Sequence, residues 1–449
     1  MKTPIFDFVK QYAASDIARF HMPGHKGIPS ALGCEPLDIT EVEGADVLYS
    51  PCGIIAESEE NATALFETAH TFYSAEGSSL AIKAMLALAT EKTKKEERPT
   101  ILAARNAHKA FLYACALLDL DVEWIFPLEK SSHLCSSVLT PEDVEEALMT
   151  SNVKPSAVYL TSPDYLGQIS DIKGIARVCH AHGVSLLVDN AHGAYLKFLK
   201  PSLHPMDLGA DLCCDSAHKT LPVLTGGAYL HISKSADPSL LERARELLSV
   251  FASTSPSYLI LQSLDLCNAY LSDGYREKLS ACVQKVNGVK QRLARMGFEA
   301  EASEPLKIVF QPRAFGYTGE ELAEHLRLHR IEAEFADDSI LVLMVTPSTR
   351  ECDLERLLNA FQKLPQKAPM PLSSIPSPHA HHAQRLSIRE AIFSSCERVS
   401  VENAVGRICA APTVSCPPAI PIVVSGEVIT GEDTELFRFY GIDSIAVIK

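Results

Sequence analysis

The chain of 449 residues has one tryptophan, few aromatic residues (7%) and no excess of basic residues. No apolar run approaches the roughly 20 residues that cross a bilayer, so membrane-spanning functions are not expected. Acidic residues outnumber basic ones, 56 against 41, and the formal charge of −15 argues against nucleic acid or an anionic membrane as a partner. Thirteen cysteines include no CxxC pair and no His/Cys cluster at zinc spacing. Several, such as Cys115, Cys179 and Cys213, sit in apolar stretches and read as reduced packing residues, with no metal site implied. The segment from Met1 to Asp16 shows no long apolar region and no cleavage pattern, which leads us to expect a cytoplasmic protein. What is present is an acidic, 47% hydrophobic, globular chain, too long for one ordinary core.

The most informative stretch runs from Ala210 to Ile232, ADLCCDSAHKTLPVLTGGAYLHI. Asp211 to Cys214 reads as the end of a strand, Ser216 to Lys219 as an exposed loop, and Gly226-Gly227 as a turn into a second strand, Ala228 to Ile232. By itself, Lys219 is most simply a solvated loop lysine. Thirty residues earlier, however, the apolar strand Leu186-Leu187-Val188 ends in Asp189-Asn190-Ala191-His192. A carboxylate and an amine on two strand ends facing one crevice suit pyridoxal phosphate, which needs the first for its ring nitrogen and the second for its aldehyde.

Other stretches fit that reading without requiring it. Gly77-Ser78-Ser79 opens directly onto an apolar helix, Leu80 to Thr90, where backbone N–H groups and hydroxyls can cradle a phosphate; a plain serine cap is the alternative. Strands at Ile101 to Ala104, Asp121 to Phe126, Ala157 to Thr161 and Ser185 to Val188 alternate with helices at Pro141 to Met149 and Ile172 to His182. That alternation predicts an α/β fold with a mostly parallel sheet covered on both faces. Further expectations are helices over 5–20, 61–72, 240–251 and 271–296, the last interrupted at Gly288, and a small α+β unit with strands near 307–311 and 340–346. Ser162 to Gly167 would border the site. The His379, His381 and His382 cluster reads as part of a polar linker, not a metal site.

HMPGHKG (His21 to Gly27), RNAHKA (Arg105 to Ala110), VDNAHGA (Val188 to Ala194) and SAHKTLPVLTGGAYLH (Ser216 to His231) together resemble the Orn/Lys/Arg decarboxylase family, pyridoxal-phosphate enzymes of fold type I. TSPSY (Thr254 to Tyr258), SIREA (Ser387 to Ala391), NAVGRI (Asn403 to Ile408) and CPPAIPIVVSGE (Cys416 to Glu427) extend the resemblance through the chain. It implies an arm and connection over 1–60, a cofactor-binding large domain over 61–275, a small α+β domain over 276–365, a linker over 366–384 and a family-type carboxy-terminal domain over 385–449. It also implies that Lys219 carries the cofactor, Asp189 faces its ring nitrogen and His108 stacks on its ring. Ser78, Ser79, Gly77 and Ser216 would surround the phosphate, and Thr254 would reach the phosphate of a partner subunit, so a homodimer or larger assembly with shared sites is implied. His192 and His218 are candidates for proton handling or for carboxylate or phosphate contact, and Glu427 for the border of the site.

The implied reaction is loss of CO2 from arginine, lysine or ornithine, with arginine or lysine favoured by resemblance to the shorter relatives. Another pyridoxal-phosphate reaction, such as an aminotransferase or a lyase, would use the same Lys219 and Asp189. A catalytically silent binding protein is the third reading, and intact Lys219, Asp189 and His108 argue against it. Departures from the family pattern are Asn190 where glutamate is common, the Ala75-Glu76-Gly77 context, Ser425 in place of a proline, and a shorter carboxy-terminal domain.

Overall fold

Short apolar strands separated by helices build one large sheet and two small ones. The computed structural model describes residues 1–93, 97–127, 133–301, 303–371, 382–411 and 420–449. In chain order the first part comprises α1 (Pro4–Ala13), α2 (Ile54–Phe66), β1 (His70–Ser74), α3 (Ser78–Thr90), β2 (Thr100–Ala104), α4 (Lys109–Leu118), β3 (Asp121–Ile125), α5 (Pro141–Thr150), β4 (Ala157–Thr161), α6 (Ile172–Ala181) and β5 (Ser185–Asp189). It continues with α7 (Pro205–Leu208), β6 (Leu212–Asp215), α8 (Ala217–Thr220), β7 (Ala228–Ile232), α9 (Ser239–Phe251), α10 (Tyr258–Ser272) and α11 (Tyr275–Arg295). The remainder is β8 (Lys307–Phe310), α12 (Gly319–Leu328), β9 (Phe335–Ala336), β10 (Leu341–Met344), α13 (Glu351–Gln362), α14 (Ile388–Phe393), β11 (Cys396–Ser400), α15 (Gly431–Phe439) and β12 (Ser444–Ile448).

The seven-stranded sheet has the order β1-β7-β6-β5-β4-β2-β3. Its strands from β3 to β6 pair in parallel, whereas β7 is antiparallel to both β6 and β1. The central strands are apolar on both faces because both are covered. Tyr159 and Leu187 pack with α3 and α4, while Val158, Leu160, Leu186 and Val188 pack with α6 on the other side. The strand ends are therefore held rigidly, and side chains just beyond them share one crevice. Antiparallel β8, β10 and β9 form the second sheet and β11 with β12 the third.

Several expectations need correction. The helix anticipated over 61–72 lies earlier, at Ile54–Phe66; it ends where Glu67 turns left-handed, and Phe72 belongs to β1. Its start is fixed by the Asp46 carboxylate, which accepts the N–H groups of Gly53 and Ile55. The anticipated helix over 271–296 is two helices, α10 and α11. They break at Gly274, whose φ of 63° an L side chain rarely adopts, and Gly288 lies within α11 without interrupting it. The first helix stops at Ala13, and the anticipated loop over Ser216 to Lys219 contains the one-turn helix α8. His379 and His381 lie outside the described residues. His382 is no part of a solvated linker: its side chain is 2% exposed and its Nε2 is 2.9 Å from Asp433.

Beneath the carboxyl ends of β5 and β6 lies a buried anion. Asp215 accepts hydrogen bonds on Oδ2 from the Nε2 of His204 (3.0 Å) and of His231 (3.1 Å), and on Oδ1 from the amide of Asn190 (2.6 Å). Nδ1 of His204 accepts the Met206 N–H, which leaves Nε2 to donate to Asp215 and makes this cluster a hydrogen-bonded hub. Burial pushes the Asp215 pKa up, but the two histidines outweigh it and hold the carboxyl below the usual range.

Removing one partner from such a hub leaves the others buried and unpaired. Asp215→Ala is expected to lower the unfolding free energy by about 3 kcal/mol. Urea denaturation followed by circular dichroism checks this, and a loss below about 1 kcal/mol would contradict a hub of that weight.

Candidate active site

The carboxyl ends of β2, β4, β5 and β6 open into one pocket. Its floor and walls include Asp189, Thr161, Asn106, His108, His192 and Lys219, with Ser78 at one end and Tyr165 and Ile420 beside them. Lys219 is carried by α8, directly after β6, and its Nζ lies 3.1 Å from Nε2 of His192. Burial lowers the pKa of this amine against the opposing charge of Asp189, which raises the share of its nucleophilic neutral form.

Asp189 closes β5 and is 2% exposed. Its Oδ2 accepts the Tyr159 hydroxyl (3.2 Å) and its Oδ1 the Ala191 N–H (3.1 Å). Burial raises its pKa, with the Lys219 charge, the Ala191 N–H and the tyrosine opposing. A cationic ring nitrogen facing it would keep it ionised. His192 is neutral, because burial and then the charges of Lys307 and Lys219 hold its pKa well below the ordinary value. His108 caps α4 by accepting the Ala110 N–H on Nδ1, and burial followed by the charge of Lys219 lowers its pKa to about 4. An uncharged, fixed imidazole suits stacking on a flat ring better than a solvated cation does.

At the other end, Gly77 takes a φ of 73° and donates its N–H to Gly226, setting Ser78 at the start of the 13-residue α3. The Ser216 hydroxyl donates to Ser78 Oγ at 2.7 Å. First-turn N–H groups and two hydroxyls thus converge at a positive helix end, the donor set a phosphate requires. Ser79 follows in α3 and does not line the pocket. His218 is directed elsewhere: its Nδ1 bonds the Gly227 carbonyl at 2.9 Å. Thr254 lies in an exposed turn after α9 and is not on its own chain's pocket wall.

Three buried polar groups of the pocket wall lack hydrogen-bond partners among the described residues: the side-chain amide of Asn106, Oγ1 of Thr161 and Nδ1 of His192. Each such group costs about 1–3 kcal/mol unless a ligand satisfies it, so the pocket fits a polar ring compound well. Asn106 and Thr161 were not singled out by sequence reasoning, although a polar residue at the end of an apolar strand was the available signal. Ile420 is about 200 residues from Lys219 in the chain and had no local signal. Glu427 lies behind the pocket, not on its wall: its Oε2 is 2.8 Å from Arg105 Nη2 and accepts the Val424 N–H at 2.7 Å. Arg105 also stacks over Trp124, 4.8 Å from the ring centre.

Comparison with known proteins finds the model of the Orn/Lys/Arg decarboxylase major domain over residues 3–313 and that of the C-terminal domain of the same family over residues 371–443. An uncharacterized protein of Bacillus subtilis, YaaO, is 30% identical over 97% of this chain and 93% of its own length. An arginine decarboxylase of the same organism is 28% identical over 96% and 92%. Among solved structures, the Francisella novicida lysine decarboxylase LdcF superposes with a TM-score of 0.81 at 17% identity, over all of this chain and 81% of that one. Sphingomonas wittichii serine palmitoyltransferase aligns over 81% of this chain with a TM-score of 0.56 at 14% identity. The architecture is that of fold type I.

The lowered pKa of His108 has a consequence for stability. An unfolded histidine binds its proton near pH 6.5 and folded His108 only near 4, so between those values the unfolded state binds more protons. This contribution is fully present above pH 6.5 and is lost as the pH falls toward 4. Between pH 7 and 5 the cofactor-free wild type should lose about 2 kcal/mol more stability than His108→Gln. Parallel urea titrations test this, and equal losses in the two proteins would contradict it.

Proposed function

The chain belongs to the Orn/Lys/Arg decarboxylase family, and from that premise we propose that it removes the α-carboxylate of a basic L-amino acid as CO2, using pyridoxal 5′-phosphate carried by Lys219. The observation that carries the reading is one pocket in which the Lys219 amine, the Asp189 carboxylate and the Ser78 end of α3 meet. When bound, the cofactor supplies an electron sink for the pair released from the broken carbon–carbon bond. In the net reaction, the bond between the α-carbon and its carboxylate breaks, CO2 leaves, and the α-carbon gains one proton to give the amine.

The residues divide the work. Lys219 offers a largely desolvated amine, and Asp189 offers a negative charge to a protonated ring nitrogen. His108 would lie against the ring, and Ser78, Ser216, Gly77 and the N–H groups near Ser79 would hold the phosphate. Thr161, Asn106 and His192 present the unpartnered polar atoms that a ring oxygen or the substrate carboxylate would satisfy. His192 stands 3.1 Å from Lys219 and is placed to exchange a proton with it. Tyr165 and Ile420 form the apolar part of the wall and would exclude water from the bound ring.

We place the active unit as at least a homodimer. The arm carries Phe20 at 97%, Leu32 at 83% and Ile28 at 69% exposure, an apolar surface that a second copy would cover. The exposed Thr254 turn is then free to meet the partner's phosphate. Relatives named arginine decarboxylase and solved lysine decarboxylases support arginine or lysine over ornithine as the substrate.

The test is product analysis by mass spectrometry after the cofactor-loaded protein is incubated with arginine, lysine or ornithine. One amine should form with at least about tenfold preference, equivalent to about 1.4 kcal/mol, and Lys219→Ala should form none. Failure with all three, together with turnover of a neutral or acidic amino acid, would overturn the assignment.

A further inference from the structure

The basic substrate proposed above needs an anion at its far end, and resting on that reading we propose that Glu334 receives the cationic head of the substrate side chain. Glu334 immediately precedes β9, in the small sheet and not the cofactor sheet, and its side chain is exposed. It is joined to the pocket through Tyr165. The Tyr165 hydroxyl donates to Glu334 Oε1 at 3.2 Å, and the Tyr165 ring meets the His192 ring edge-on at 5.2 Å, with His192 in turn 3.1 Å from the Lys219 amine. The carboxylate therefore stands one side-chain layer outward from the reacting end, on the wall that Tyr165 forms.

Tyr165 is itself held from two directions. The neighbouring Phe335 packs edge-on against Tyr165 at 5.5 Å, and the buried Lys307 ammonium donates to the carbonyls of Asp164 (3.3 Å) and Tyr165 (2.9 Å). The other acids near the pocket are committed. Asp189 serves the floor, Glu427 pairs with Arg105, Asp164 is buried and accepts the Gln168 N–H, and Glu304 accepts from Tyr195 and the Leu306 N–H. Among the described residues Glu334 has no cation within ion-pair distance. Burial lowers the pKa of Lys219 and of Lys307, and Glu334 is among the acids whose charge opposes that, so its field reaches the reacting amine. An exposed carboxylate without a cation, held by the hydroxyl of the pocket-wall residue Tyr165, is the arrangement that rewards a lysine or arginine head and leaves a neutral one without a partner.

The experiment compares wild type, Glu334→Gln and Glu334→Asp as cofactor-loaded proteins. Each is assayed with the preferred basic amino acid and with its uncharged counterpart, norleucine for lysine or norvaline for ornithine, and citrulline for arginine. Glu334→Gln should raise KM for the basic substrate at least about 30-fold with a smaller change in kcat, leave the neutral analogue's kcat/KM within about twofold, and so collapse the discrimination between them. Glu334→Asp keeps the charge and should recover part of the discrimination, while unchanged cofactor absorbance in both variants shows an intact site. If wild type acts on a basic amino acid and Glu334→Gln keeps its selectivity, this inference is overturned and the parent reading stands. If wild type turns over none of the three, both fall.

Discussion

The hydrogen bond from Asn190 to Asp215, 2.6 Å long and wholly buried, ties the ends of β5 and β6 together, and the chemistry of the pocket hangs from those two ends. Asp189 precedes one partner of that bond and the short helix carrying Lys219 follows the other. Asp215 remains charged because two imidazole N–H groups and one amide point at it, and their combined donation offsets the cost of burying an anion. Asparagine at 190 is part of the solution. A glutamate there would place a second anion beside Asp215. Gly193 is matched to the same contact, since a Cβ at that position would overlap Asn190 Oδ1.

Around this lock, three regions of the chain meet at one pocket. The seven-stranded sheet supplies Lys219, Asp189 and the phosphate end. The small sheet supports its Tyr165 wall through Glu334 and Phe335, and the carboxy-terminal region brings Ile420 to the wall. Arg105 and Glu427 join the first and last of these by an ion pair whose side chains are 1% and 3% exposed. A pair buried so deeply adds little net stability over apolar packing, but losing one member would leave an unpaired buried charge at the contact between the two regions.

The strands were legible because they are short, apolar and bounded. Ala157 to Thr161 was delimited to the residue, and Ser185 to Val188 fell one short of β5. Helix boundaries were less legible where tertiary contacts decide them: Asp46 starts α2 across a loop, and Gly274, not Gly288, breaks the long helical run. Lys219, Asp189 and Ser78 stood out because strand ends and helix starts have local signatures. Asn106 and Thr161 are identified by their lack of partners among the described residues, which no sequence window contains. His382 read as a linker residue because its partner Asp433 lies 51 positions away, and Glu334 could not be placed before β9 was seen beside Tyr165.

The central claim is that Asp189 and Lys219 serve one cofactor from adjoining strand ends. Nitrogen-15 NMR of the protein loaded with pyridoxal phosphate labelled at the ring nitrogen tests it most directly. The account predicts a resonance in the protonated pyridinium range that moves to the unprotonated range in Asp189→Asn, since an amide offers the ring no compensating charge. A wild-type resonance in the unprotonated range, or one that Asp189→Asn leaves in place, would contradict it.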